Sequence, residues 1–436
     1  MNQPASRLKE VEQLAARYPS LPKEAILKQD MLRLGVGFSE DSLRIAAGFK
    51  PKDYFIFSFD LATLEELEAA GEHLLRAPEE VRFFGGSWGL APTIFNVRLA
   101  PKSPYQVGLE NGKLTISCGG EIFAEAEYHP VPPFYSEALP SGKSINETAP
   151  VLEWGYLIYL TVYRLCQYWG KDEECQFCDI NENYRQQKKA GREYTGIKNP
   201  QDILDALDAI NRLDTQKTTQ AITLTGGSIT GQLSGQDELA FYLSYAKAIY
   251  ERFGERWILK AVVEAFEKEA CQRLYDEGGV RIYHPNYEVW DPDLFKQLCP
   301  GKERFVGYNR WMRRILESAE VFGPERVIPN FVGGVEMAQP YGFTDPIQAV
   351  ESTVGGLEYF MSRGIMPRFT TWCPEPLSFI GNQPAPPLEY FVHLLYRFRE
   401  TVDKYGLKAP PGYGKPGVGH AVFSVSAFMD VLKAED

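Results

Sequence analysis

Three cysteines fall within thirteen residues, in Cys166-Gln-Tyr-Trp-Gly-Lys-Asp-Glu-Glu-Cys175-Gln-Phe-Cys178. Thiolates are the ligands that iron–sulfur clusters take, so three of them on one loop can hold three corners of a [4Fe–4S] cluster and leave the fourth iron open to a small molecule. A structural zinc site is the competing chemistry. Zinc normally takes four ligands, often as two Cys-x-x-Cys arms, and no second arm follows here. Further residues suited to chemistry lie downstream. Gly226-Gly227-Ser228 lets the backbone approach a ligand closely. Glu264 and Glu288 are carboxylates at the ends of apolar runs, and His284 is of the type that shuttles protons near neutral pH. Trp372, Cys373 and Glu375 cluster in Thr370-Thr-Trp-Cys-Pro-Glu-Pro376 at the end of another apolar run, where Trp372 and Glu375 are expected to face a substrate cavity with Cys373 at its mouth. Each has a plainer reading: a turn glycine, a solvated strand-end acid, a satisfied histidine, a core thiol.

Stepping from residues to elements, each candidate sits just after a short apolar run. Gly155–Tyr163 reads as a buried strand, rich in β-branched and aromatic residues, and it delivers the cysteine loop. From there strands and helices alternate: helix 199–213, strand 220–225, helix 237–253, strand 257–264, helix 268–277, strand 280–284, a helical region ending near Phe322, strand 326–332, helix 346–362, strand 366–372 and helix 388–405. Six βα units in a row call for a parallel sheet with outer helices, and right-handed crossovers curl such a set into a (βα)6 partial TIM barrel. Active sites of such barrels lie at the carboxyl ends of the strands, where these residues fall.

The first 150 residues are different in texture. Helical stripes at Arg7–Arg17 and Ala62–Leu75, the second with Thr63 as N-cap, give way to strands around an Asn111-Gly112 hairpin and a third run, Glu121–Tyr128. An N-terminal α+β accessory domain (1–150) therefore precedes the barrel (151–405). It carries no chemical motif, and covering the barrel or dimerising are both open to it. Its Cys118 reads as a structural thiol, as do Cys271 and Cys299. A Gly/Pro-rich C-terminal extension (406–436) can fold over the barrel mouth as a lid or link to a docked terminal helix.

The cysteine loop after a first strand, with an aromatic residue before its last Cys, resembles the radical S-adenosylmethionine (SAM) superfamily, and the segment around His284-Pro-Asn-Tyr-Glu288 resembles its biotin-synthase-like branch. The family's common spacing has three residues between the first two cysteines; here there are eight, Gln167 to Glu174, giving Cx8CxxC. Lys171–Glu174 is expected to be a solvated insertion, since Asp and Glu are seldom fully buried unless paired. The resemblance implies a [4Fe–4S] cluster on Cys166, Cys175 and Cys178, with SAM on its open iron. It implies SAM contacts at Gly226, Gly227, Ser228, Glu264, Gly333 and Gly334, and an Arg gripping the SAM carboxylate, matched by Arg310 or Arg313. Glu288, His284, Cys373 and Glu375 are the residues it leaves for catalysis. The activity implied is reductive cleavage of SAM to a 5′-deoxyadenosyl radical that abstracts hydrogen from a small organic substrate, leading to rearrangement, C–C cleavage or C–C formation. A reductant such as flavodoxin or ferredoxin comes with it, and oxygen sensitivity. A non-radical lyase or isomerase using Glu264, His284 and Glu288 is the alternative enzyme.

Composition fits. Across 436 residues, 44% hydrophobic and 24% charged content is ordinary for a globular protein. A net charge of −12 argues against a nucleic-acid partner, which needs a basic stripe. Seven cysteines, an odd number, with no apolar leader or spanning stretch, point to a reducing, cytoplasmic setting without membrane contact.

Overall fold

The computed structural model describes residues 5–45, 48–52, 60–191 and 195–434. Its first part holds α1 (Ala5–Arg17), α2 (Lys23–Leu34), β1 (Gly37–Phe38), α3 (Leu64–Ala70), β2 (Glu80–Gly85), β3 (Leu90–Asn96), β4 (Tyr105–Glu110), β5 (Lys113–Cys118), β6 (Glu121–Tyr128) and α4 (Ile145–Thr148). The meander expected around Asn111-Gly112 is β4–β5–β6. It widens into a six-stranded sheet of order β1-β4-β5-β6-β2-β3. Thr63 caps α3, accepting from Glu66 N while the Glu66 carboxylate accepts from Thr63 N. The helical reading of residues 1–80 lies in part outside the described residues.

The rest alternates as the sequence predicts: β7 (Val151–Leu152), β8 (Leu157–Tyr163), α5 (Ile180–Lys189), α6 (Pro200–Leu213), β9 (Ala221–Gly226), α7 (Glu238–Phe253), β10 (Ile258–Val263), α8 (Lys268–Asp276), β11 (Ile282–Pro285), α9 (Pro292–Leu298), α10 (Pro300–Phe305), α11 (Tyr308–Phe322), β12 (Asn330–Gly333), α12 (Pro346–Met361), β13 (Arg368–Thr371) and α13 (Leu388–Tyr405). β8, β9, β10 and β11 pair in parallel, in chain order, with β7 antiparallel at the edge. β12 and β13 form a second parallel pair, joined to β11 and its following loop through the parallel bridges Tyr283↔Val327 and Glu288↔Phe331.

Period-two alternation divides these strands into two faces. Ile158, Leu160, Ile222, Leu224, Leu259, Ala261, Phe331 and Phe369 are buried in the continuous apolar core. Tyr159, Thr223, Thr225, Lys260, Asn330, Arg368 and Thr370 face a common cavity instead. A parallel sheet covered on both faces reads as an unbroken apolar run, so polar residues at every second position mark the face that lines a site.

Two further pieces close that cavity. The tail after α13 forms turns and a single bridge, Gly414↔Ala421, with no helix among its described residues. It reaches the amino ends of the strands, not their mouth: Gly412 abuts Ile258 and Ile282, and its carbonyl accepts from Lys260 Nζ at 2.9 Å. The tail then runs between two edges, where Ser424 O accepts from Asn96 N and Val425 O accepts from Thr371 N. The end of β3 and the tail thus wall off one side. Arg98 fastens this wall, donating to Leu32 O at 2.7 Å and Thr371 O at 2.8 Å.

Candidate functional site

The cavity measures about 230 Å³ and runs from the cysteine loop down the polar face of the strands. Cys166, Cys175 and Cys178 all line it. The loop is positioned by backbone: Gly227 packs so closely that a Cβ there would lie 1.9 Å from Leu165 O and 2.7 Å from Cys166 Cα. A Cβ on Gly226 would lie 2.8 Å from Tyr163 O. The two glycines admit the cysteine loop itself, besides lining the cavity with Ser228.

Side chains fix the same loop. Asn181 accepts from Cys166 N at 3.0 Å and donates to Tyr168 O at 2.9 Å. Tyr168, inside the eight-residue spacer, is buried and donates its hydroxyl to Glu264. Lys171 and Asp172 are exposed as expected, but Glu174 is buried: it accepts from Gly170 N at 2.8 Å and lies 3.6 Å from Arg185. Gln176 ties the turn by donating to Lys171 O and Glu174 O. The spacer is a built turn, not a solvated bulge, because its polar groups satisfy one another.

Burial pushes the Cys166 thiol up to about 12 and Cys178 well above its ordinary value, with neighbouring Cys175 adding to both. The three are therefore mutually close, and they share one cavity with no disulfide among them. Among the described residues no three His, Cys, Asp or Glu side chains converge as a single ion would need. Cys299, read from sequence as purely structural, is buried against Cys175 and within hydrogen-bonding reach of it.

Acidic groups ring the loop. Glu264 stands beside Glu238, the first residue of α7, whose carboxyl is raised well above its ordinary value by burial and then by Glu264. Glu288 lines the cavity at φ +62°, an uncommon backbone for a residue other than glycine, and pairs with buried Lys302. Cys373 and Glu375 also line it. Burial pushes the Cys373 thiol up to about 12, and burial with Asp179 holds the Glu375 carboxyl well above the usual range.

Five residues expected at the site fall elsewhere. His284 is fully buried and does not line the cavity. Its Nδ1 faces Ile328 O at 2.8 Å and its Nε2 faces the Tyr413 hydroxyl at 2.9 Å, and burial lowers its pKa well below the usual value. Both ring nitrogens have partners within the protein, and the imidazole is not among the residues the cavity brings together. Arg310 and Arg313 project from α11 to solvent, where Arg310 pairs with Glu267 and Arg313 lies 3.4 Å from Glu317; neither lines the cavity. Gly333 and Gly334 pack on Leu394 and Phe391 of α13, making room for a helix rather than for a ligand.

Sequence reading missed the deep end. Glu153, Tyr159, Lys260, Asn330, Arg368 and Tyr413 line it. Period two across the six strands was the signal that could have found four of them; the other two come from a turn and from the tail.

No family model matches the chain. In sequence it is similar to bacteriochlorophyllide c C-7(1)-hydroxylase of Chlorobaculum limnaeum, 25% identical over 128 residues, which span 29% of this chain and 29% of that protein. Among solved structures it is similar to the FeFe-hydrogenase maturase HydG from Carboxydothermus hydrogenoformans (14% identity, TM-score 0.40, 59% of this chain and 54% of that one). It is also similar to a radical SAM methyltransferase from Sphaerobacter thermophilus (13% identity, TM-score 0.38, 80% and 83%). The chain therefore spans under a third of the curated relative and about half of the maturase.

Proposed function

We propose that this chain is a radical SAM enzyme acting on a small organic substrate, built on a (βα)6 partial barrel with the accessory domain and tail as its side wall and floor. One observation carries the reading: three cysteines, delivered by the loop after β8, line the same cavity as the carboxyl ends of the parallel strands. Cys166, Cys175 and Cys178 would hold a [4Fe–4S] cluster, which with SAM supplies a 5′-deoxyadenosyl radical able to abstract hydrogen. The protein's part is to bind, orient and shield.

Its residues suit that part. The Tyr168–Glu264–Glu238 group and the Glu288–Lys302 pair flank the loop with polar atoms able to hold a cofactor's hydroxyl and amino groups. Cys373 stays a thiol at neutral pH because burial disfavours the thiolate, and a thiol is a chemical form able to give up a hydrogen atom. Burial, then Asp179, holds the Glu375 carboxyl well above its ordinary range, and its Oε1 has no hydrogen-bond partner. A reductant such as flavodoxin or ferredoxin, oxygen sensitivity and a cytoplasmic setting accompany this reading; among the described residues no helix is long and apolar enough to cross a membrane.

The test is anaerobic reconstitution. We expect about four irons per chain, as a cubane requires, lost in Cys166→Ala, Cys175→Ala and Cys178→Ala but kept in Cys271→Ala. With SAM and dithionite, 5′-deoxyadenosine should form. Stoichiometric zinc without iron–sulfur absorbance would overturn the proposal.

A further inference from the structure

Arg368, the first residue of β13, points into the deep end of the cavity. Its Nε is buried without a hydrogen-bond partner, and among the described residues no carboxylate forms an ion pair with it. Its neighbours are rings: the guanidinium lies 5.5 Å from the centre of Tyr413 and 5.2 Å from that of Phe423. Arg368 is half-buried and acts electrostatically on Glu153, yet its buried Nε donor is unmet, and leaving such a donor unmet is costly. Here the unmet donor, aimed into a cavity, points to a ligand.

Lys260 stands beside it on the same polar face. Its Nζ donates to Gly412 O and lies 4.3 Å from the centre of the Tyr413 ring. Glu153 enters from the β7–β8 turn, and its Oε2 is buried with no hydrogen-bond partner. That turn is held in an unfavourable form: Glu153 and Trp154 both have φ +54°, followed by Gly155 at +88°. L residues adopt this region only at a cost, and strain of this kind gathers at ligand sites. Glu80 sustains it by accepting from Glu153 N at 2.8 Å and Trp154 N at 3.0 Å. Two cations, Arg368 and Lys260, thus face one acid, Glu153, at this end.

We infer that this deep end seats a carboxylate of the substrate, forked by Arg368 with Lys260 beside it. Arg matches a planar carboxylate bidentately. The Glu153 carboxyl at the same end disfavours a second negative charge, so a monoanionic carboxylate suits the seat better than a phosphate dianion. The seat is distinct from the cysteine loop. Lys260 is level with Thr223 and Tyr159, and Tyr163, where the loop begins, lies four residues further along β8, about 13 Å at strand rise. A group gripped here holds the rest of a small acid up toward the thiols. This deepens the proposed function and rests on it for the word substrate.

Calorimetry with matched acids and amides tests it: acetate and acetamide, benzoate and benzamide, indole-3-acetate and indole-3-acetamide, on both the metal-free and the reconstituted protein. At least one acid should bind roughly tenfold or more tighter than its amide, the gain expected of a charge-assisted fork. That preference should vanish in Arg368→Gln and fall in Arg368→Lys, while surface Arg281→Gln retains it. Phenyl phosphate should bind no tighter than benzoate. No preference in any pair, a preference that survives Arg368→Gln, or tighter phenyl phosphate would each overturn the seat. Acid selectivity in a protein that takes up no iron would leave the seat standing and the radical reading fallen; iron and SAM cleavage without acid selectivity would do the reverse.

Discussion

Glu153 breaks two residue-scale rules at once, a left-handed backbone and a buried carboxyl, and its titration should be visible in folding. Burial raises it to about 7, with Lys260 and Arg368 opposing. Between its ordinary range and pH 7 the folded chain then binds more protons than the unfolded one, so stability falls as pH rises through that window. Lys260 is lowered to about 8 by burial, so the unfolded chain holds the extra proton between about 8 and its ordinary 10.5, and stability rises again there. Glu153→Gln should flatten the descending limb between pH 5 and 7 and raise the melting temperature at pH 8; superimposable profiles of variant and parent would reject this. Cys299 carries a second residue-scale expectation. Buried against Cys175, it is placed to tune a ligand without being one. Cys299→Ala should retain iron while shifting the reduction potential, and loss of iron would make it a ligand.

At the scale of elements, the βα alternation was legible because each strand carries its own boundary signals and each helix its own stripe; α13, read as 388–405, falls on Leu388–Tyr405. The polar inner face was legible in principle too, since Lys260 and Arg368 interrupt apolar runs. The cysteine spacer was not. Exposure of Lys171 and Asp172 follows from their charge, but the burial of Tyr168 and Glu174 depends on partners 96 residues away at Glu264 and eleven away at Arg185. Gly301 also donates to Glu173 O at 3.0 Å, fastening the spacer to α10. Cutting Gln167–Glu174 to three residues removes Tyr168 and the turn that Gln176 ties, so the shortened protein should fail to assemble a cluster even with all cysteines present. Full iron content in that variant would show that the spacer is the dispensable insertion its composition suggests.

The whole molecule depends on contacts that no local pattern encodes. Residues Ala25 to Arg33 of helix α2 are all buried, charged ones included, because β3, α13, β13 and the tail pack around it. Gln29 accepts from Thr371 Oγ1 at 2.5 Å, and Lys28 donates to Phe423 O and to Asp430 at 2.8 Å. Lys28 and Asp430 are 402 residues apart and essentially without solvent contact. Removing one member of such a pair leaves an uncompensated buried charge and costs about 3–5 kcal/mol, whereas replacing both by apolar residues of similar size is often neutral. Lys28→Met should therefore lower the melting temperature markedly and loosen Phe423–Val425, the stretch that walls the cavity. Lys28→Met with Asp430→Leu should recover most of the loss. The readout is limited proteolysis beside thermal unfolding: the single variant should be cut beyond α13 before the parallel strands unfold, and the double variant should resist. If the single variant melts and digests like the parent, the tail is held by its apolar contacts alone, and the cavity wall does not depend on the amino-terminal helix.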